Sequence, residues 1–241
     1  MKTPQRPPSS RDGDTLAGMG LHGVTSHETG LARELVRGRY TYASAARLAG
    51  ASSHQVRRWL TEGSIDNDPA IADGEVTFVG LVHVIVVSWM RSRGVSMQVI
   101  RQGEARCREV WGEPRPLVTT TFRDDAARAF AGAHGRRPTI DGGTVTEALR
   151  RVLAPLHASF EYGDRVVERC WPLGRSREIV IDPMRCDGLP CIARTGVPSD
   201  EVAGLVTRGR SAERVGRDFG VTSDELDAAI EFHQQIGRAH V

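Results

Sequence analysis

Ser53, His54, Gln55, Arg57 and Arg58 fall within six consecutive positions, and no acidic residue occurs between Tyr40 and Leu60. Set on one side of a helix, these side chains can hydrogen-bond to guanine and adenine edges and grip phosphates. Val56, Trp59 and Leu60 recur at helical spacing on the opposite side, which suits burial. A plain α-hairpin with a solvated basic face would use some of the same residues. What favours duplex DNA is coincidence in register: a turn glycine, a capping serine, a buried tryptophan and an acid-free outer face.

Other chemistry finds little support. The chain has no Gly-rich phosphate loop, no His-Glu-x-x-His and no Gly-x-Ser-x-Gly. The paired acids Asp124-Asp125 and Asp66-x-Asp68 lie in polar, loop-like stretches and read as turn formers. His83 falls inside an apolar helix and reads as a core or interface residue. Cys186 and Cys191 bracket Asp-Gly-Leu-Pro without a nearby histidine, so buried thiols are expected rather than a zinc site. The expectation is a protein that is not an enzyme, with no catalytic residues, no cofactor and no metal.

The basic face needs a scaffold. Ala45, Ala46 and Ala49 let a first helix pack closely, and Leu48 gives it an apolar anchor. Gly50 sits where the chain must turn out of that helix. Ser52 can cap the second helix, with Gln55 three residues on completing a capping box. Arg47, on the first helix, is placed to touch the DNA backbone. Ser52 and the second helix's N-terminus would lie near a phosphate.

Beyond Leu60, a Gly- and Pro-punctuated stretch could hold a β-hairpin wing. Helices are expected over Phe78–Arg93, from Ser96 to about Trp111, and over Thr144–Leu156. A short strand is expected over Thr119–Phe122, a hairpin around Gly163-Asp164 and another strand over Glu178–Ile181. Three helices follow: Asp200–Val206, Ala212–Phe219 and Asp224–Gln235, the last capped by Ser223. That final helix carries Asp224, Glu225, Asp227 and Glu231, and an acidic helix repels DNA.

The expected class is mainly α with small β elements (α+β): a winged helix-turn-helix, then a C-terminal strand pair and three-helix module. Expected regions are a disordered segment 1–30, the DNA-binding domain 31–118, a connecting α/β region 119–175 and the C-terminal module 176–237. The net charge of +2 decides nothing, and Lys2 is the only lysine among 32 basic residues. The start of the chain is polar and lacks a signal-peptide pattern. The longest apolar run, Val82–Met90, is too short to span a membrane. A cytoplasmic protein is expected.

Tyr42-Ala-Ser-Ala-Ala-Arg-Leu-Ala-Gly50 with Ser53-His-Gln-Val-Arg-Arg-Trp59 resembles the winged helix-turn-helix of MerR-type regulators. Phe78-Val-Gly-Leu-Val-His83 and Arg93-Gly-Val-Ser-Met-Gln-Val-Ile-Arg101 extend that likeness. Ile179 to Ile192, with Val197-Pro-Ser-Asp-Glu-Val202 and Val221-Thr-Ser-Asp-Glu-Leu226, is similar to a small bacterial domain found in VapB-type antitoxins. The resemblance implies a PIN-like ribonuclease toxin as partner, operator DNA, a homodimer with the helix through Val99 to Trp111 as part of its seam, and autorepression of the operon. Where that family has Arg-Gly-Thr-Arg after Pro-Cys-Ile, this chain has Ala193-Arg194-Thr195-Gly196. Arg194, Arg208 and Arg210 are the candidates for reaching the toxin's metal-binding carboxylates. The alternative is a MerR-like ligand-sensing transcription regulator without a toxin partner.

Overall fold

Tyr40 organises the N-terminal half. In this computed structural model, residue 35 and residues 38–61, 74–133, 139–140 and 143–238 are described. Strand β1 (Gly38–Thr41) pairs antiparallel with β2 (Glu75–Thr77), setting Tyr40 opposite Val76. Both side chains are buried. Neither strand is anticipated by the sequence reading, because each is too short to show alternation. The expected wing and the acids Asp66 and Asp68 lie outside the described residues, as does the 1–30 segment.

Thr41 caps helix α1 (Tyr42–Ala49) through a reciprocal box with Ser44, with bonds of 3.1 and 2.9 Å. Gly50 then takes the left-handed conformation at φ 63°, which a Cβ would strain, and lets the chain reverse into α2 (Ser53–Thr61). Fully buried Ala45 and Ala46 on α1 face the core that Val56, Trp59 and Leu60 enter from α2.

Helix α3 (Phe78–Ser92), capped by Thr77, is buried on most sides and forms the spine of the larger core. Helix α4 (Met97–Trp111) follows, with Ser96 as its cap. Next come α5 (Thr120–Ala133), the pair β3 (Thr139–Ile140) and β4 (Gly143–Thr144), and α6 (Val145–Ala158). The hairpin expected around Gly163-Asp164 is β5 (Phe160–Tyr162) with β6 (Val167–Cys170).

The strand expected over Thr119–Phe122 is instead the start of α5. Three β-branched residues suggested extension, but Thr119 caps a helix: its Oγ1 accepts from the Phe122 amide at 3.2 Å. Asp124 and Asp125 therefore sit on a helix rather than in a loop, and Asp124 pairs with Arg123 at 2.7 Å.

Strands β7 (Ile179–Val180) and β8 (Cys191–Ile192) open the C-terminal module. Helices α7 (Ser199–Thr207), α8 (Ala212–Phe219) and α9 (Ser223–Arg238) complete it. The cap of α9 is Thr222, not Ser223. Its hydroxyl accepts from the Glu225 amide at 3.2 Å while its own amide donates to the Glu225 carboxylate at 2.7 Å. The architecture is α+β, mostly helical with short antiparallel strand pairs.

One apolar cluster runs from Leu35 to Ile181, so its packing spans both 31–118 and 119–175; a second runs from Ile179 to Ile236. Leu48 of α1 packs against both. A buried polar strut also joins them: the Tyr40 hydroxyl donates to the Gly188 carbonyl at 2.6 Å across 148 residues. Tyr40→Phe leaves that carbonyl unpaired, and a loss of about 1–2 kcal/mol is expected in urea unfolding. An unchanged midpoint would show that water replaces the hydroxyl. Among the described residues, no helix is long and apolar enough to cross a membrane.

Candidate nucleic-acid interface

The outer face of α2 consists of the residues that its packing leaves outside. Ser52, Ser53, His54, Gln55, Arg57 and Arg58 are all exposed, whereas Val56, Trp59 and Leu60 are buried. The face carries two guanidinium groups and no acid.

The N-terminus of α2 is already partly committed. The Gln55 amide donates to Ser52 Oγ at 3.2 Å, and the Ser52 amide donates to Gln55 Oε1 at 2.9 Å. Gln55 therefore keeps its side-chain N–H donors, and its Oε1 holds the cap with one of two lone pairs, so a two-bond pairing with adenine would share that oxygen. Helix geometry leaves the Ser53 and His54 amides without intrahelical partners, pointing outward where a phosphate can bind.

Arg47 stands apart from this face. It is exposed on the last turn of α1 and lines a cleft against α9, where its charge helps hold the half-buried His233 below the usual histidine range, after burial. The three arginines of the C-terminal module also differ from one another. Arg194 binds Glu225 through two contacts of 2.9 and 2.7 Å and donates to the Gly220 carbonyl at 2.7 Å. It clamps the β8–α7 loop onto the start of α9. Arg208 and Arg210 are exposed in the turn between α7 and α8, with Arg210 3.7 Å from Asp218.

The Arg194 clamp has a pH signature. Hydrogen bonds from Arg194 hold the Glu225 carboxyl at about 2, against its ordinary 4.5. The unfolded chain thus takes up protons before the folded one as pH falls. The pair's contribution is complete above about pH 4.5 and is lost as pH drops through 2. Arg194→Met should lower the melting temperature at pH 7, and the gap from wild type should close towards pH 2. A gap that persists unchanged in acid would assign the loss to packing of the arginine stem.

A second buried ionic group lies away from α2. His83 Nε2 is 3.3 Å from Glu104 Oε1, both fully buried, and Arg108 reaches the same oxygen at 2.8 Å. Burial alone would raise the Glu104 carboxyl, but His83 and Arg108 outweigh it and hold the group below its usual value. The sequence marks His83 as buried and gives no sign of Glu104, which comes from the next helix.

Burial pushes the thiols of Cys107, Cys170 and Cys191 up to about 12, so they remain protonated near neutral pH. Among the described residues, no group of three or more His, Cys, Asp or Glu is placed to hold a metal ion. His157 Nδ1 lies 2.6 Å from the Tyr162 hydroxyl, and burial followed by the Arg123 charge lowers that histidine to about 4.

The expected dimer helix α4 turns its buried face, Ile100, Gly103, Glu104 and Cys107, inward. That face is covered within the chain, while Met97, Val99 and Trp111 are half-buried and Arg101, Gln102, Ala105, Arg106, Glu109 and Val110 face out.

A family model described as "Protein of unknown function (DUF433)" matches residues 179–233, the segment from β7 into α9. The chain is 25% identical over 226 residues to "Uncharacterized protein Rv2308" of Mycobacterium tuberculosis, covering 84% of this chain and 92% of that protein. It is 24% identical over 220 residues to "Putative antitoxin VapB45" of the same organism, covering 80% and 89%. The crystal structure of Rv2018 from M. tuberculosis aligns with a TM-score of 0.66 at 23% identity, over 80% of this chain and 98% of that one. At that identity the structural likeness is one of fold.

Proposed function

We propose that this chain is the antitoxin of a type II toxin–antitoxin pair, acting inside the cell. It binds and neutralises a PIN-like ribonuclease of the VapC type, and represses its own operon through α1 and α2. The observation that carries the reading is the similarity to a protein named as an antitoxin, which extends over four fifths of the chain rather than the C-terminal module alone.

In this reading α2 is the recognition helix. Arg57 and Arg58 contact bases or phosphates, Ser53 and His54 present hydroxyl, imidazole and free amides, and Gln55 donates from its amide group. Its exposed, acid-free face supports this role. The C-terminal module, about 176–237, is the toxin-binding part. Exposed Asp224 and Asp227 at the start of α9 repel DNA and favour a protein partner. Arg208 and the loosely paired Arg210, 3.7 Å from Asp218, are exposed and extend towards the nuclease carboxylates, whereas Arg194 is held by Glu225. A homodimer supplies two α2 helices for a two-fold operator.

The test has two arms. Tagged protein is recovered from nuclease-treated extract of its native cell, and upstream DNA of its own gene is titrated in a mobility-shift assay. A small PIN-like nuclease at comparable abundance, with a salt-sensitive shift of that DNA, supports both activities. DNA binding without such a nuclease removes the antitoxin reading and leaves a transcription regulator. A nuclease without DNA binding removes autorepression.

A further inference from the structure

Between the last turn of α1, the outward strip of α3 and the final turns of α9 lies a cleft of about 340 Å³. Its walls include Leu48, Ile85, Phe232 and Ile236, and its two charged lining residues are Arg47 and Arg93. Among the described residues that line it, none is an aspartate or glutamate. Arg93 is held in place: its guanidinium carbon lies 3.1 Å from the centre of the Trp89 ring, and Nη1 donates to Ser92 Oγ at 3.0 Å. The Trp89 indole N–H is itself fixed by the Val152 carbonyl at 2.6 Å. The wall is therefore preorganised.

We infer that this cleft binds a small apolar carboxylate, an aromatic or branched-chain acid. Apolar walls favour a hydrocarbon body, and two guanidinium groups with no lining carboxylate favour a single anionic head. The volume falls at the lower end of the roughly 300–1,000 Å³ typical of small-ligand clefts, which suits one ring or a short branched chain. A nucleotide or diphosphate would need more donors and a less apolar wall. Because α1 belongs to the helix-turn-helix and α9 to the C-terminal module, an acid seated between Arg47 and Arg93 ties the two modules together. This site goes beyond the toxin–antitoxin reading and stands or falls independently of it.

The test is calorimetric titration of the full chain with benzoate, naphthalene-2-carboxylate and 4-methylpentanoate, each beside its matching alcohol. At least one carboxylate is expected to bind, with its alcohol about tenfold weaker or more. Arg93→Met is expected to remove that preference in a protein that still melts cooperatively. If that variant does not fold, Arg47→Met serves the same purpose. The proposal is overturned if no carboxylate binds in preference to its alcohol, or if the folded arginine variant binds the preferred acid as tightly as wild type.

Discussion

Arg57→Ala combined with Arg58→Ala is expected to abolish specific operator binding while the chain remains folded and retains its protein partner. Both side chains lie on the exposed face of α2, opposite the Val56, Trp59 and Leu60 anchors. Each lost base or phosphate contact costs about 1–3 kcal/mol, so two losses weaken each half-site by roughly thirtyfold or more. For every lost phosphate contact, the slope of log affinity against log salt should also fall by about one. The C-terminal module packs around its own apolar cluster, so partner binding should persist. A mobility shift over a range of salt, run beside co-purification, measures both. Loss of both activities in a folded variant would refute the separation of roles, and undiminished DNA affinity would remove α2 as the reading helix.

Gly103→Ala is expected to be the most damaging single-methyl change in the larger core. Gly103 lies on the buried face of α4, and a Cβ there would stand 2.3 Å from a Phe130 ring carbon. Phe130 cannot simply swing away, being fully buried with its ring centre 6.1 Å from that of Phe122. Overpacking of this kind costs about 3 kcal/mol, the upper part of its usual range. For a chain of this size that is roughly 6–12 °C in melting temperature. Adding Phe130→Leu should recover part of the loss, because the two changes share one contact. If Gly103→Ala alone melts with wild type, α4 and α5 are less tightly packed than described.

The helix pair α1–α2 is legible because each of its signals is local. Gly50 must turn the chain, Ser52 and Gln55 are three residues apart, and Val56, Trp59 and Leu60 mark one face; the structure places all of them as the spacing implies. Helices α3, α4, α7, α8 and α9 are legible for the same reason. Reading failed where a signal was short or ambiguous. β1 and β2 have four and three residues and gain stability only by pairing with each other. The Thr119–Thr121 run looks extended by side-chain type, but the Thr119 hydroxyl makes it a helix start.

The sequence by itself determined where most of the helices lie, which faces are apolar, and that α2 carries a basic acid-free surface. Those properties depend on side chains within a few positions of one another. Only the tertiary structure decided how each polar group is used. Arg194 finds Glu225 across 31 residues, Tyr40 reaches Gly188 across 148, and His83 meets Glu104 from the neighbouring helix. Arg47 on α1 and Arg93 at the end of α3 both line a cleft that α9 helps to close. The physical reason is that a charge or hydroxyl carries no mark of its distant partner. Its role is fixed when apolar packing brings the two together and removes the water that would otherwise satisfy them.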